Sequence, residues 1–179
     1  MTQIANVYAQ GLYTLAAEEG LTQEILQQLS VLEKTVGQEQ EYLNLLSTPA
    51  VSLQERCQIL DQAFRDSVHI YVLNFMKLLT EKGYIRHFSA CCRQYRQQYN
   101  SEHGILPVRA VSAVALTEQQ KQRLTEKLNN LTGKTVCIEN RIEPGVLGGV
   151  RLDYDGVRID DTVKSRLDAV RRLLENTVL

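Results

Sequence analysis

The sequence has no surplus of charge of either sign: 20 Lys and Arg stand against 21 Asp and Glu, for a formal net charge of −1. Without a summed positive field it has no means of recruiting a polyanion, so the expected partners are proteins and not nucleic acid. No apolar run approaches the roughly 20 residues that span a bilayer, which argues against direct membrane insertion. Met1-Thr2-Gln3-Ile4 lacks the basic and apolar regions of a secretory signal, and the mature chain is expected to start here, in the cytoplasm.

Motifs of chemistry are missing too. Cys57, Cys91, Cys92 and Cys137 contain no C-x-x-C pair, so a zinc or redox centre is not expected and the thiols read as reduced apolar packers. His69, His87 and His103 each fall on a predicted helix or its end, without metal-ligand spacing. There is no G-x-S-x-G elbow, Walker loop or dinucleotide fingerprint. The pair Gly148-Gly149 lies between strand candidates, where no helix N-terminus can cradle phosphate. Asp160, Asp161 and Asp168 could be imagined as acid and base, but carboxylates that open a helix are favoured by its dipole. Neither an enzyme nor a bound cofactor is expected.

What is present is helical periodicity. Ile4, Val7, Tyr8, Leu12 and Leu15 form a first stripe interrupted by Gly11, a glycine that suggests either close approach by another backbone or plain tolerance. Ile25, Leu29, Leu32 and Val36 form a second; Tyr42, Leu43, Leu45 and Leu46 a short third. Ser52-Leu53-Gln54-Glu55 is a capping box that starts a fourth helix. Val68, Tyr71, Val72, Phe75, Leu78 and Leu79 mark a fifth, unusually apolar all round, which stops at Gly83. Such a helix is central or carries a second buried face. The sixth uses Ile85, Phe88, Cys92, Tyr95 and Tyr99 and ends at His103-Gly104. Arg93 and Arg96 beside these tyrosines could also suggest a nucleic-acid stacking platform, but half-buried packing fits the spacing better.

After Gly104 the period changes from about 3.6 to 2, which sets a domain boundary: residues 1–104 are expected to form a six-helix bundle and 105–179 a small α+β domain, in a chain that is mostly α. In the second part Val108, Ala110 and Ser112 alternate with Arg109, Val111 and Ala113. A capping box at Thr117–Gln120 leads a helix through Leu124, Leu128 and Leu131 to Gly133. Val136, Ile138, Asn140 and Ile142 form the next strand. Val150, Leu152 and Tyr154 run into the type I′ turn pair Asp155-Gly156, with Val157 and Ile159 returning antiparallel. A last helix from about Asp160 should bury Val163, Leu167, Val170 and Leu174, with Arg166, Arg171 and Arg172 on its wetter side.

The run from Ile142 through Gly148-Gly149 to Leu152, followed by Asp155 to Leu167 with Asp160, Thr162 and the Arg166-Leu167 pair, closely resembles the C-terminal signature of the F-type ATP synthase delta subunit family. This is the family related to the mitochondrial oligomycin-sensitivity-conferring protein. Val7–Ala16, Asn74–Gly83 and Val111–Thr117 are similar to its opening helix, fifth helix and strand-to-cap junction. The resemblance covers essentially the whole chain. It implies a non-catalytic stator link between the catalytic head and the peripheral stalk, resisting rotor torque during proton-driven ATP synthesis. It further implies that the N-terminal helix of an alpha subunit docks in a groove between the first and fifth helices, with Tyr8, Gly11, Leu12, Tyr71, Asn74, Phe75 and Leu78 as candidates. For Leu12, Tyr71 and Phe75 a purely core role is equally open. Gly148, Gly149, Asp160, Thr162 and Arg166 serve either the fold or the stalk contact. Val170 and Leu174 are expected to meet the C-terminal helices of the b subunits. The absence of an Arg- and Ser-rich leader favours a bacterial subunit, peripheral on the cytoplasmic face of the plasma membrane. A freestanding helical adaptor is the alternative.

Overall fold

The computed structural model describes residues 3–36 and 39–169. It is mostly helical with a small four-stranded sheet toward the C-terminus, and it divides into two compact units, Met1–Tyr99 and Asn100–Leu179.

The first unit holds α1 (Gln3–Glu18), α2 (Thr22–Thr35), α3 (Gln40–Ser47), α4 (Leu53–Phe64), α5 (Ile70–Glu81), a 3-10 turn at Ile85–His87 and α6 (Phe88–Glu102), within which the boundary falls. The capping box at Ser52 is formed, its hydroxyl accepting from the Glu55 N–H while the Glu55 carboxylate accepts from the Ser52 N–H. α5 ends in a Schellman motif: Gly83 has φ +75°, the Tyr84 N–H reaches the Leu79 carbonyl at 2.7 Å and the Gly83 N–H reaches that of Thr80 at 3.2 Å. Val68 lies outside α5, in the turn before it; His69 is the N-cap, its Nδ1 accepting from the Tyr71 N–H.

All six helices contribute to one apolar core. α1 enters it by a different face from the one its large residues suggest. Ala5, Ala9, Leu12, Tyr13 and Ala16 are buried, whereas Val7 is 64% exposed and Leu15 also faces outward. Tyr13 sets this rotation. Its ring packs edge-on against the fully buried Tyr95, with centroids 5.2 Å apart, and Val7, six residues earlier, stands about 240° around the helix. Alanines complete the face and let α1 approach closely. Within the chain no other backbone approaches Gly11 closely: a Cβ there would meet nothing within 4 Å. The Tyr95 hydroxyl donates to the Thr22 carbonyl and Arg96 pairs with Glu33 at 2.8 Å, so both side chains are engaged within the helical unit.

Burial also decides thiol chemistry. The Cys91 thiol is pushed up to about 11 by desolvation, and Cys92 is raised further by desolvation and then by the Glu33 charge. Cys137 is exposed and Cys57 half-buried. Because the thiolate is the nucleophile, an alkylating reagent at pH 8 should modify Cys137 first and Cys57 more slowly. Cys91 and Cys92 should react only after denaturation, as mass spectrometry of labelled peptides would register.

The second unit holds β1 (Ile105–Ser112), α7 (Glu118–Thr132), β2 (Thr135–Ile142), a 3-10 turn at Pro144–Val146, β3 (Val150–Tyr154) and β4 (Val157–Asp160); residues 163–169 are helical. The strand order is β2-β1-β3-β4, with β1 parallel to β2 and antiparallel to β3, and β3 antiparallel to β4. A parallel pair needs a crossover, which α7 provides. Its Thr117 capping box and the Gly133 C-cap at φ +66° are both formed. Asp155 and Gly156, at φ +44° and +78°, make the tight turn between β3 and β4.

Leu106, Val108, Ala110, Leu128, Val136 and Leu152 form the second core, with Leu124 packed against it. Leu131 does not join them and is 82% exposed. The last turn of α7 turns Leu128 and Asn129 to the sheet, where Asn129 Oδ1 accepts from the Val136 N–H at 2.8 Å, so Leu131 points away. Val163 and Leu167 are likewise exposed rather than buried. The first turn of that helix is anchored through the Val163 N–H to the Gly148 carbonyl at 3.0 Å. Val170, Arg171, Arg172 and Leu174 lie outside the described residues.

Candidate functional site

Two helices of the first unit combine a buried face with an exposed apolar stripe. On α1 the stripe is Val7 and Leu15 with Gly11 between them; on α5 it is Ile70 and Leu78 with the polar Asn74 between them, again at four-residue spacing. Ile70 is 53% exposed and Leu78 40%, while Val72, Leu73, Phe75, Met76 and Leu79 of the same helix are buried. A solvated helix ordinarily puts charge on such positions, so the apolar side chains stand out.

The expected groove residues divide accordingly. Gly11, Asn74 and Leu78 are on the surface, and Tyr8 and Tyr71 are half-buried. Tyr8 packs edge-on against Tyr84, just beyond α5, at 5.9 Å between centroids; Tyr71 packs similarly on His69 at 4.8 Å. Leu12 and Phe75 belong to the core. Val7 and Leu15, which the apolar period placed in the helical stripe of α1, and Ile70, which falls outside the stripe of α5, are exposed apolar residues not among the expected groove residues. The signal was present in α5, whose apolar residues run all the way round.

The C-terminal signature residues come together at one corner of the second unit. Gly149 has φ +78°, and a Cβ on it would lie 2.4 Å from the Asp161 carbonyl oxygen. The Gly148 carbonyl accepts from the Val163 N–H. Asp160 Oδ1 accepts from the Thr162 N–H at 3.0 Å and from its hydroxyl at 2.7 Å. Buried Thr162 in turn caps the helix, its Oγ1 accepting from the Ser165 N–H at 3.2 Å, and Arg166 Nε donates to Asp161 at 3.0 Å. Each of these bonds is internal to the chain and gives its residue a part in the fold.

The hydrogen bonds from Thr162 hold the Asp160 carboxyl below its ordinary value of 3.8, and the Arg158 guanidinium, donating at 2.7 Å, does the same for Asp153. For carboxylates depressed in the folded state, the stabilisation is complete above the unfolded value and is lost as pH falls through the folded one. The β3–β4 hairpin should therefore hold unchanged at pH 5 and loosen only below about pH 4. Amide exchange compared at pH 5 and pH 3 would register this, and Arg158→Gln should reduce the difference.

Among the described residues no three His, Cys, Asp or Glu side chains gather as metal ligands, and no helix is long and apolar enough to cross a membrane. The described residues form two compact units, one helical and one with a four-stranded sheet, each around its own apolar core. The family described as ATP synthase delta (OSCP) subunit matches residues 4–174. The ATP synthase subunit delta of Clostridioides difficile is 30% identical over 176 residues, covering 98% of this chain and 97% of its own. That of Synechococcus elongatus is 29% identical over 170 residues, 94% of each chain. In fold, the chain is similar to one in the cryo-EM structure of the Toxoplasma gondii mitochondrial ATP synthase hexamer, with a TM-score of 0.75, 16% identity, and coverage of 97% of this chain and 98% of that one. The chain belongs to the ATP synthase delta (OSCP) subunit family. It is a structural, non-catalytic subunit of ATP synthase, and the freestanding adaptor is set aside.

Proposed function

We propose that this subunit is the stator link of its ATP synthase. In this reading α1–α6 form a six-helix bundle on the catalytic head, and residues 105–179 meet the C-terminal helices of the b subunits, peripheral to the membrane on the cytoplasmic face of a bacterial cell. The bundle takes the amphipathic N-terminal helix of an alpha subunit between α1 and α5. The observation that carries it is the pair of exposed apolar positions on each helix, Val7 and Leu15 on α1 and Ile70 and Leu78 on α5, with Gly11 and Asn74 between them. An amphipathic helix laid against them buries its own apolar face and removes theirs from water, each fully buried aliphatic side chain contributing about 1.5–3 kcal/mol. Gly11, with open space where a Cβ would stand, lets a backbone approach α1.

A stator does no bond chemistry; it must stay bound while torque loads it, which calls for slow dissociation and hence for buried apolar anchors. The test is calorimetric titration of the full-length chain with a synthetic alpha-subunit N-terminal peptide. Saturable one-to-one binding is expected. A folded chain that does not bind the peptide would place the head contact elsewhere.

A further inference from the structure

A second apolar groove opens on the first unit, between α2 and α3 and along the α4–α5 turn. Leu32, Val36, Tyr42, Leu45, Phe64 and Val68 are among its lining residues, and its volume is about 860 Å³. Val31, which also lines it, is 63% exposed, and Leu45 is exposed too. Tyr42 lies edge-on to Phe64 with its hydroxyl buried and without a hydrogen-bond partner, so a polar atom in the wall is left unsatisfied. Along α2 the lining runs from Gln27 to Val36, roughly 14 Å at 1.5 Å per residue, or two and a half helical turns. Charge in the lining is of one sign. Glu39 and Glu41, where α3 begins, are its charged residues, and among the described residues no Lys or Arg lines it.

We infer that this groove is a second helix-docking site, distinct from the α1 and α5 stripes, and that its occupant is a short amphipathic helix of a partner protein whose polar side carries Lys or Arg. The apolar floor takes the helix's aliphatic stripe, and the glutamates select the cation. An anionic helix is disfavoured because it would bring like charges together at the rim, where electrostatics decides partner choice more than raw affinity.

The test uses the full-length chain and two dye-labelled peptides of about fourteen residues, identical in their leucine stripe, one with Lys and one with Glu on the polar side. Fluorescence anisotropy at low salt should show the Lys peptide binding at least about tenfold more tightly. Glu39→Lys with Glu41→Lys should reverse that preference, and Val31→Gln with Leu45→Gln should weaken both peptides by about tenfold. Far-UV circular dichroism should be unchanged in both double variants. An alpha-subunit N-terminal peptide should not displace the Lys peptide. Absence of binding, equal affinity for the two peptides, insensitivity to both double variants, or displacement by the alpha peptide would each overturn the assignment, the last by moving the Lys peptide to the α1 and α5 surface.

Discussion

Gly149→Ala is expected to destabilise the second unit by about 3 kcal/mol or more, a fall in melting temperature on the order of 15 °C. Two costs combine. Alanine at φ +78° sits in the left-handed region, at roughly 1–2 kcal/mol. Its Cβ would also stand 2.4 Å from the Asp161 carbonyl oxygen and 3.0 Å from Thr162 Cα, both backbone atoms that cannot swing aside. Relief requires the start of β3 to move away from Asp161, stretching the bonds from the Asp161 N–H to Val150 and from the Val163 N–H to Gly148. Gly148→Ala is the matched control. Its Cβ would meet one methyl group of Val163 at 3.3 Å and its φ is not positive, so about 1 kcal/mol or less is expected. Scanning calorimetry of both variants decides the matter. Equal losses would mean that the corner formed by Gly149 and Asp161 is not as tight as described.

Leu78→Asp is expected to weaken binding of the alpha-subunit peptide at least about 100-fold while leaving the melting transition close to that of the wild type. The two halves have separate causes. Leu78 is exposed, and its removal opens no cavity in a core built from Val72, Phe75, Met76 and Leu79. In the docked state, however, a carboxylate would be covered by an apolar helix face, and burying an unpaired charge costs several kcal/mol. Val7→Asp on α1 should act in the same direction. If both variants bind the peptide normally while melting like the wild type, the head contact does not use these stripes.

Helix and strand boundaries were legible wherever a local hydrogen bond fixes them. Ser52 with Glu55, Thr117 with Gln120, and glycines 83 and 133 each bond within their own turn, so a few adjacent residues determine the outcome. The direction a helix faces depends instead on what it meets. Val7 and Leu15 followed the apolar period but were turned outward because Tyr13 found Tyr95, more than eighty residues away in the chain. Leu131 was displaced in the same way by Asn129, whose amide is claimed by β2. The parallel pairing of β1 and β2 was also beyond local reading. Alternation tells which face a strand buries, not which neighbour it takes. For the candidate surface, the surplus apolarity of α5 pointed to the helix, but separating Leu78 from Phe75 required the packed structure.

The sheet order has a mechanical consequence. β1 and β4 point the same way, since each is antiparallel to β3, so the chain enters the sheet at Ile105 and leaves it at Asp160 at opposite ends of the strands. Tension applied through the chain therefore pulls β1 and β4 in opposite directions along their lengths. The ladder bonds lie across the strands, so they are loaded in shear and must yield together, whereas a hairpin pulled from its open end unzips one pair at a time.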